Sequence, residues 1–169
     1  MTTPLNTPNM NRPGNATGLL PLSRAIVYAT LLAGALDATD GVVFFGLHGL
    51  NPIQVLQYIA SGLLGAQSFR GGLATAGLGV LVHFAITLVV AAIYVLTSRS
   101  IPALRTHWPM VGLLYGAVVW AVMNMVILPL TAVAPSHITT AALLNGVIGH
   151  ALFVGMPIAF FAGKMEEAA

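Results

Sequence analysis

The 169-residue sequence contains no cysteine and very little charge: six Lys/Arg and four Asp/Glu, or 6% of the chain. Without thiols there can be no disulfide, zinc-thiolate centre, iron–sulfur cluster or thiol nucleophile. An average soluble domain carries about 25% charged residues, so this chain cannot coat a globule of its size with ionic groups. That excludes an ordinary soluble domain, a coiled coil and a disordered protein. The pI of about 9.4 comes from six scattered cations. Nucleic-acid binding needs clustered Lys/Arg to displace counterions from phosphates, and no such run exists. No HExxH pair and no Gly-rich phosphate cradle occurs, which speaks against an enzyme. What the chain has in abundance is apolar: 57% hydrophobic residues, with a mean hydropathy of +0.91.

A bilayer core about 30 Å thick needs roughly 20 apolar residues per helix. Four stretches satisfy this, at 25–47, 73–97, 108–133 and 140–163, so the expected fold is an all-α, polytopic four-helix membrane bundle spanning 24–164. A Thr/Pro/Asn-rich tail at 1–23 precedes it and is expected to be disordered. Arg24 and the apolar run after it resemble a signal peptide with a small-residue cleavage site at Ala33-Gly34-Ala35. The run continues through Val42, Val43 and Phe44, which favours a retained span. Between the first two spans, Asn51-Pro52 is a helix-start signal. Ile53, Leu56, Ile59, Leu63 and Leu64 then recur at helical spacing opposite Gln54, Gln57 and Ser61. This predicts a short amphipathic helix at 52–65 lying on the outer membrane surface.

Lys/Arg placement sets the expected orientation. Arg12, Arg24, Arg99, Arg105 and Lys164 fall on one side and Arg70 alone on the other, which puts both termini in the cytoplasm of a bacterial-type inner membrane. His48 and His137 fall at the outer rim and His107 at the inner one, as interfacial residues.

Ionisable groups inside spans are costly and face a bundle interior. At about 1.5 Å per residue, Asp37 lies roughly 18 Å deep, His83 roughly 22 Å, Asn124 about 24 Å and His150 about 20 Å. Each span thus contributes one strongly polar side chain near the midplane, and Asp40 shares the face of Asp37. Rows of small residues accompany them: Ala25, Ala29, Ala33 and Gly41; Thr75, Gly79, Thr87 and Ala91; Ala151, Gly155, Ala159 and Gly163. Small residues at this spacing let helix backbones approach closely in lipid. Asp37, Asp40, His83, Asn124 and His150 are therefore expected to form a layer that binds or relays a proton or small cation. Pro129 and Pro157 predict kinks that could gate it.

Other chemistries fit these residues less fully. His83 and His150 could be axial ligands of a bis-histidine haem, giving a redox subunit. With Asp37 and Asp40 the same histidines could hold a divalent cation. The layer could also be hydrogen-bonding glue in an accessory subunit of a larger membrane complex or in a homo-oligomer. Asp37, Asp40 and Gly41 open like an alcohol-phosphatidyltransferase motif, but Phe44 and Phe45 replace its Ala-Arg and no later aspartate follows. Ser61-Gly62 lies outside the spans, which removes an intramembrane serine protease.

Several runs resemble a family of small bacterial inner-membrane proteins with no established activity. They are Leu36-Asp37, Asn51-Pro52, Val55-Leu56-Gln57, Ile59 to Gly65, Phe69 with Gly71-Gly72, His83-Phe84, Tyr94 and Ser98-Arg99. Further along come Tyr115-Gly116, Met123-Asn124, Leu128-Pro129-Leu130, Gly149-His150 and Gly155 to Ala159. The resemblance covers roughly residues 30 to 163. It implies a four-helix membrane fold and places the midplane residues inside the resembling stretches, with the tail outside them.

Overall fold

A computed structural model describes residues 19–134 and 138–165 of the chain. Four helices are long and apolar enough to cross a membrane: Leu22–Leu47, Gly72–Ser100, Trp108–Leu130 and Thr140–Gly163. No strand forms among the described residues, and the fold is an all-α four-helix bundle. Most of the expected tail and the turn residues Pro135, Ser136 and His137 lie outside the described residues. The last part of that tail, Leu22 and Ser23, already belongs to the first span.

The first span is one helix, α1 (Leu22–Leu47), and the second is α3 (Gly72–Ser100). Between them lies α2 (Pro52–Leu64), followed by a 3-10 segment, Gly65–Arg70. A single turn, α4 (Ala103–Thr106), leads into the third span, which begins as α5 (Trp108–Val122). The fourth span begins as α6 (Thr140–Gly149) and ends as α7 (Met156–Gly163).

Each of the last two spans is interrupted where a proline was expected to bend it. Met123–Ile127 is π-helical and passes into a 3-10 turn, Leu128–Leu130, that contains Pro129. His150–Gly155 is π-helical immediately before Pro157. A proline has no N–H to give to the carbonyl four residues back, and its ring clashes there. Widening the preceding turn relieves that clash, and such π segments recur at functional sites.

The core follows the small-residue rows. Ala25, Ala29 and Ala33 of α1 pack with Ala91, Tyr94 and Val95 of α3 and with Val154, Ile158, Ala159 and Ala162 of the fourth span. Glycines carry the closest approaches. An added Cβ at Gly155 would lie 2.6 Å from the Gly116 backbone nitrogen, and one at Gly116 would meet the backbone of His150 and Ala151. At one end of the bundle the Leu20 N–H donates to the Lys164 carbonyl at 2.7 Å, fastening the first and fourth spans together. Core residues included, well under half of the residues along the apolar stretch of each span are buried. Leu31, Val43, Leu81, Val89, Leu114 and Ile148 all project outward, as a lipid-facing surface requires.

The helix at α2 starts as expected. Asn51 accepts from the Gln54 N–H, and Gln54 accepts in return from the Asn51 N–H, each at 3.0 Å, in a reciprocal capping box ahead of Pro52. Its larger apolar side chains face outward, but the opposite face, expected to meet water, is covered by protein. Val55, Gln57, Ala60 and Ser61 are buried, whereas Ile53, Leu63 and Leu64 are exposed. The cause is α3. Gln57 Nε2 donates to the Gly72 carbonyl at 3.0 Å and reaches Thr75 Oγ1 at 3.3 Å, and Gly79 admits the Leu56 backbone where a Cβ would collide. A polar and small face thus packs on α3 and leaves the larger apolar side chains for lipid. The turns that enter and leave the 3-10 segment use Gly65 and Gly72, both at φ +56°, a region that L side chains rarely adopt.

Candidate functional site

The first and fourth spans run antiparallel, so residues that ascend along one meet residues that descend along the other. Leu20 meets Lys164, Asp37 meets His150, and Asp40 meets Asn145. Asp37 Oδ1 lies 3.5 Å from His150 Nδ1, with side-chain exposures of 18% and 24%. That is ion-pair distance for a protonated imidazole, yet longer than a formed N–H···O bond of about 2.7–3.2 Å. The pair is therefore in contact without being locked. Three residues on, Asp40 Oδ2 accepts from Asn145 Nδ2 at 2.9 Å. Gly149 makes this possible, since an added Cβ would lie 2.7 Å from the same carboxylate oxygen. His150 opens the π-helical segment, so its imidazole sits where the span's backbone hydrogen bonding changes register.

The other two members of the expected layer have different partners. His83 is positioned by the contact face of α3, and its Nε2 lies 2.9 Å from the Gly34 carbonyl of α1, one turn before Asp37. Its own carbonyl accepts from Thr87 Oγ1 at 2.8 Å. His83 thus joins α1 to α3 through the backbone, and a haem iron could take its Nε2 only by breaking that link. Asn124 donates to the Trp120 carbonyl of its own span at 2.9 Å, occupying an acceptor in the stretch where the helix widens. It lines a separate cavity of about 330 Å³ with Tyr58, Leu128, Pro129 and Val133. The structure brings together Asp37, Asp40 and His150, ties His83 to the α1 backbone, and places Asn124 elsewhere. Among the described residues, no group of three or more His, Asp or Glu is arranged to hold a metal ion.

Asn145 is the residue that the depth argument did not single out. The signal was available: an amide five residues before His150, on a span antiparallel to the one carrying Asp40 three residues after Asp37. At about 1.5 Å per residue these offsets are roughly 7.5 and 4.5 Å in the same direction, within side-chain reach of one another.

Beside the site, a groove of about 400 Å³ opens between α1 and the fourth span. Asp40 and Phe44 line one side, and Ala141, Leu144, Asn145, Ile148, Gly149, Leu152 and Phe153 line the other. It exists because α1 packs tightly on α7 and on the π segment but scarcely touches α6. Asp40 and Asn145 are therefore reachable from the outer surface of the bundle between these two spans. Compared with protein-family models, curated proteins and solved structures, the chain matches none of them, so the resemblance to small inner-membrane proteins rests on its shared residue runs alone.

Proposed function

We propose that this integral membrane protein binds and exchanges a proton at Asp37 and His150, with Asp40, oriented by Asn145, beside them. The carrying observation is the approach of Asp37 to His150 between two spans, both largely covered by protein. An unpaired ionised group is expensive at hydrocarbon depth, and an Asp–His pair lowers that cost by sharing a proton. Protonation converts a carboxylate beside a neutral ring into a carboxylate–imidazolium pair with no net charge. Loss of the proton restores a negative site that can accept another proton. Asp40 supplies a second carboxylate, whose Oδ2 the amide of Asn145 already engages. The π-helical turn that starts at His150 gives the pair a place to act on the backbone.

The arrangement of cations supports an orientation with both chain ends cytoplasmic in an inner membrane. Arg24, Arg99, Arg105 and Lys164 lie toward the fastened end, and Arg70 lies in the 3-10 segment at the other. Four short-looped spans are few for an alternating-access carrier, which favours a channel, a homo-oligomer or a subunit of a larger complex. The test is proton flux into liposomes containing the purified protein, read with an internal pH dye. Asp37→Asn and His150→Ala are each expected to lower flux at least tenfold. Flux that survives both substitutions, or wild-type flux equal to that of empty liposomes, refutes the exchange reading.

A further inference from the structure

We infer that the groove between the first and fourth spans binds a lipophilic organic cation, an ammonium or phosphonium carrying apolar groups, which enters from the bilayer. This rests on the reading of Asp40 as standing beside the exchange site and names the ligand class that reaches it. The groove's walls are apolar and include the rings of Phe44 and Phe153 and the side chains of Leu144 and Ile148. Its polar side chains are Asp40 and Asn145, already bonded to each other at 2.9 Å. The Asn145 bond uses one acceptor position on the Asp40 carboxylate, and a carboxylate offers about four. A second carboxylate, Asp37, stands one helical turn away on the same span, outside the groove lining and 3.5 Å from His150 Nδ1.

Charge and shape together select the occupant. A lipid acyl chain would fill the walls but leave Asp40 uncompensated in hydrocarbon, which is costly. An anion would face the Asp40 carboxylate. A bare divalent metal would need about six oxygen ligands, and these walls are almost all carbon. A cation with an apolar body satisfies both parts at once: its charge meets Asp40 while aromatic faces contribute cation–π attraction. A volume of about 400 Å³ lies within the range that holds a small organic molecule, roughly 300–1,000 Å³. Leu144 and Ile148 are about half exposed at 53% and 54%, so the entrance lies on the lipid-facing surface and not through a buried core.

The probe is radiolabelled tetraphenylphosphonium, measured by equilibrium dialysis against the full chain in detergent micelles. Saturable binding is expected. Asp40→Asn should weaken it at least tenfold, and so should Leu144→Phe, which narrows the groove from its exposed edge and spares the core. Neutral triphenylphosphine oxide should not compete. Absence of saturable binding, binding by Asp40→Asn or Leu144→Phe as tight as by wild type, or competition by the neutral compound overturns the proposal. If binding is absent while Asp37→Asn and His150→Ala still abolish ion flux, the groove assignment alone fails. If Asp40-dependent binding is found in a protein that conducts nothing, the groove assignment holds and the exchange reading fails.

Discussion

Two glycine-to-alanine substitutions with opposite expected signs test the packing that positions the site. At Gly155, the new Cβ would lie 2.6 Å from the Gly116 nitrogen and 2.9 Å from the Gly116 Cα. Non-bonded carbon atoms settle at about 3.5–4.0 Å, so the third and fourth spans would have to part by about 1 Å. The obstructing atoms are backbone and cannot rotate aside. Overpacking of this kind costs about 1–3 kcal/mol, and the upper half of that range is expected for Gly155→Ala. At Gly77, a Cβ would meet nothing within 4 Å. There the gain in helix propensity stands unopposed, and Gly77→Ala should stabilise by about 0.5–1 kcal/mol. The assay is equilibrium unfolding of each variant in mixed micelles, followed by the far-ultraviolet helix signal. Gly155→Ala with a midpoint at or above wild type, or Gly77→Ala with one below it, would refute the close-packing argument.

Asn124→Ala should leave flux unchanged and cost about 0.6 kcal/mol, the average for an intramembrane hydrogen bond, because its amide bonds within its own span; a loss of flux in the liposome assay would put Asn124 back in the site. Asn51→Ala removes the reciprocal cap of α2 and should destabilise by about 1 kcal/mol in the same unfolding measurement, with flux retained. Because the sequence has no cysteine, Arg70→Cys and Arg99→Cys can each be labelled without background. A membrane-impermeant maleimide added to intact cells should modify the first and spare the second, and the reverse pattern would invert the topology.

The spans were readable because hydrocarbon imposes a length and a composition at once, and their limits differ from expectation by only a few residues at each end. The rows through Ala25, Ala29 and Ala33 and through Gly155 and Ala159 were readable for a related reason: close helix contact in lipid tolerates little else. Depth counting put Asp37 and both His83 and His150 at one level without choosing between the histidines, and the one that approaches Asp37 is His150. It could not separate residues that share a depth but lie on different faces, which is why Asn124 was grouped with a cluster it does not join. Nor could periodicity find the contact of α2 with α3, since Gln57 and Ser61 read as a water-facing side, yet they are covered because their partners are backbone carbonyls and Thr75.

The bond from Leu20 to Lys164 makes the near end of the first and fourth spans a pivot. From there, at about 1.5 Å per residue, the lever arm is roughly 26 Å to Asp37 and 36 Å to Phe44. Tilting α1 by about 5° would by that geometry carry Phe44 through roughly 3 Å, Asp37 through roughly 2 Å and Ala33 through about 1.7 Å, with only Ala25, nearest the pivot, moving less than about 1 Å. Making or breaking contact between Asp37 and His150 in this way would therefore also shear the alanine seam at Ala29 and Ala33, which ties the site to the packing of the first span.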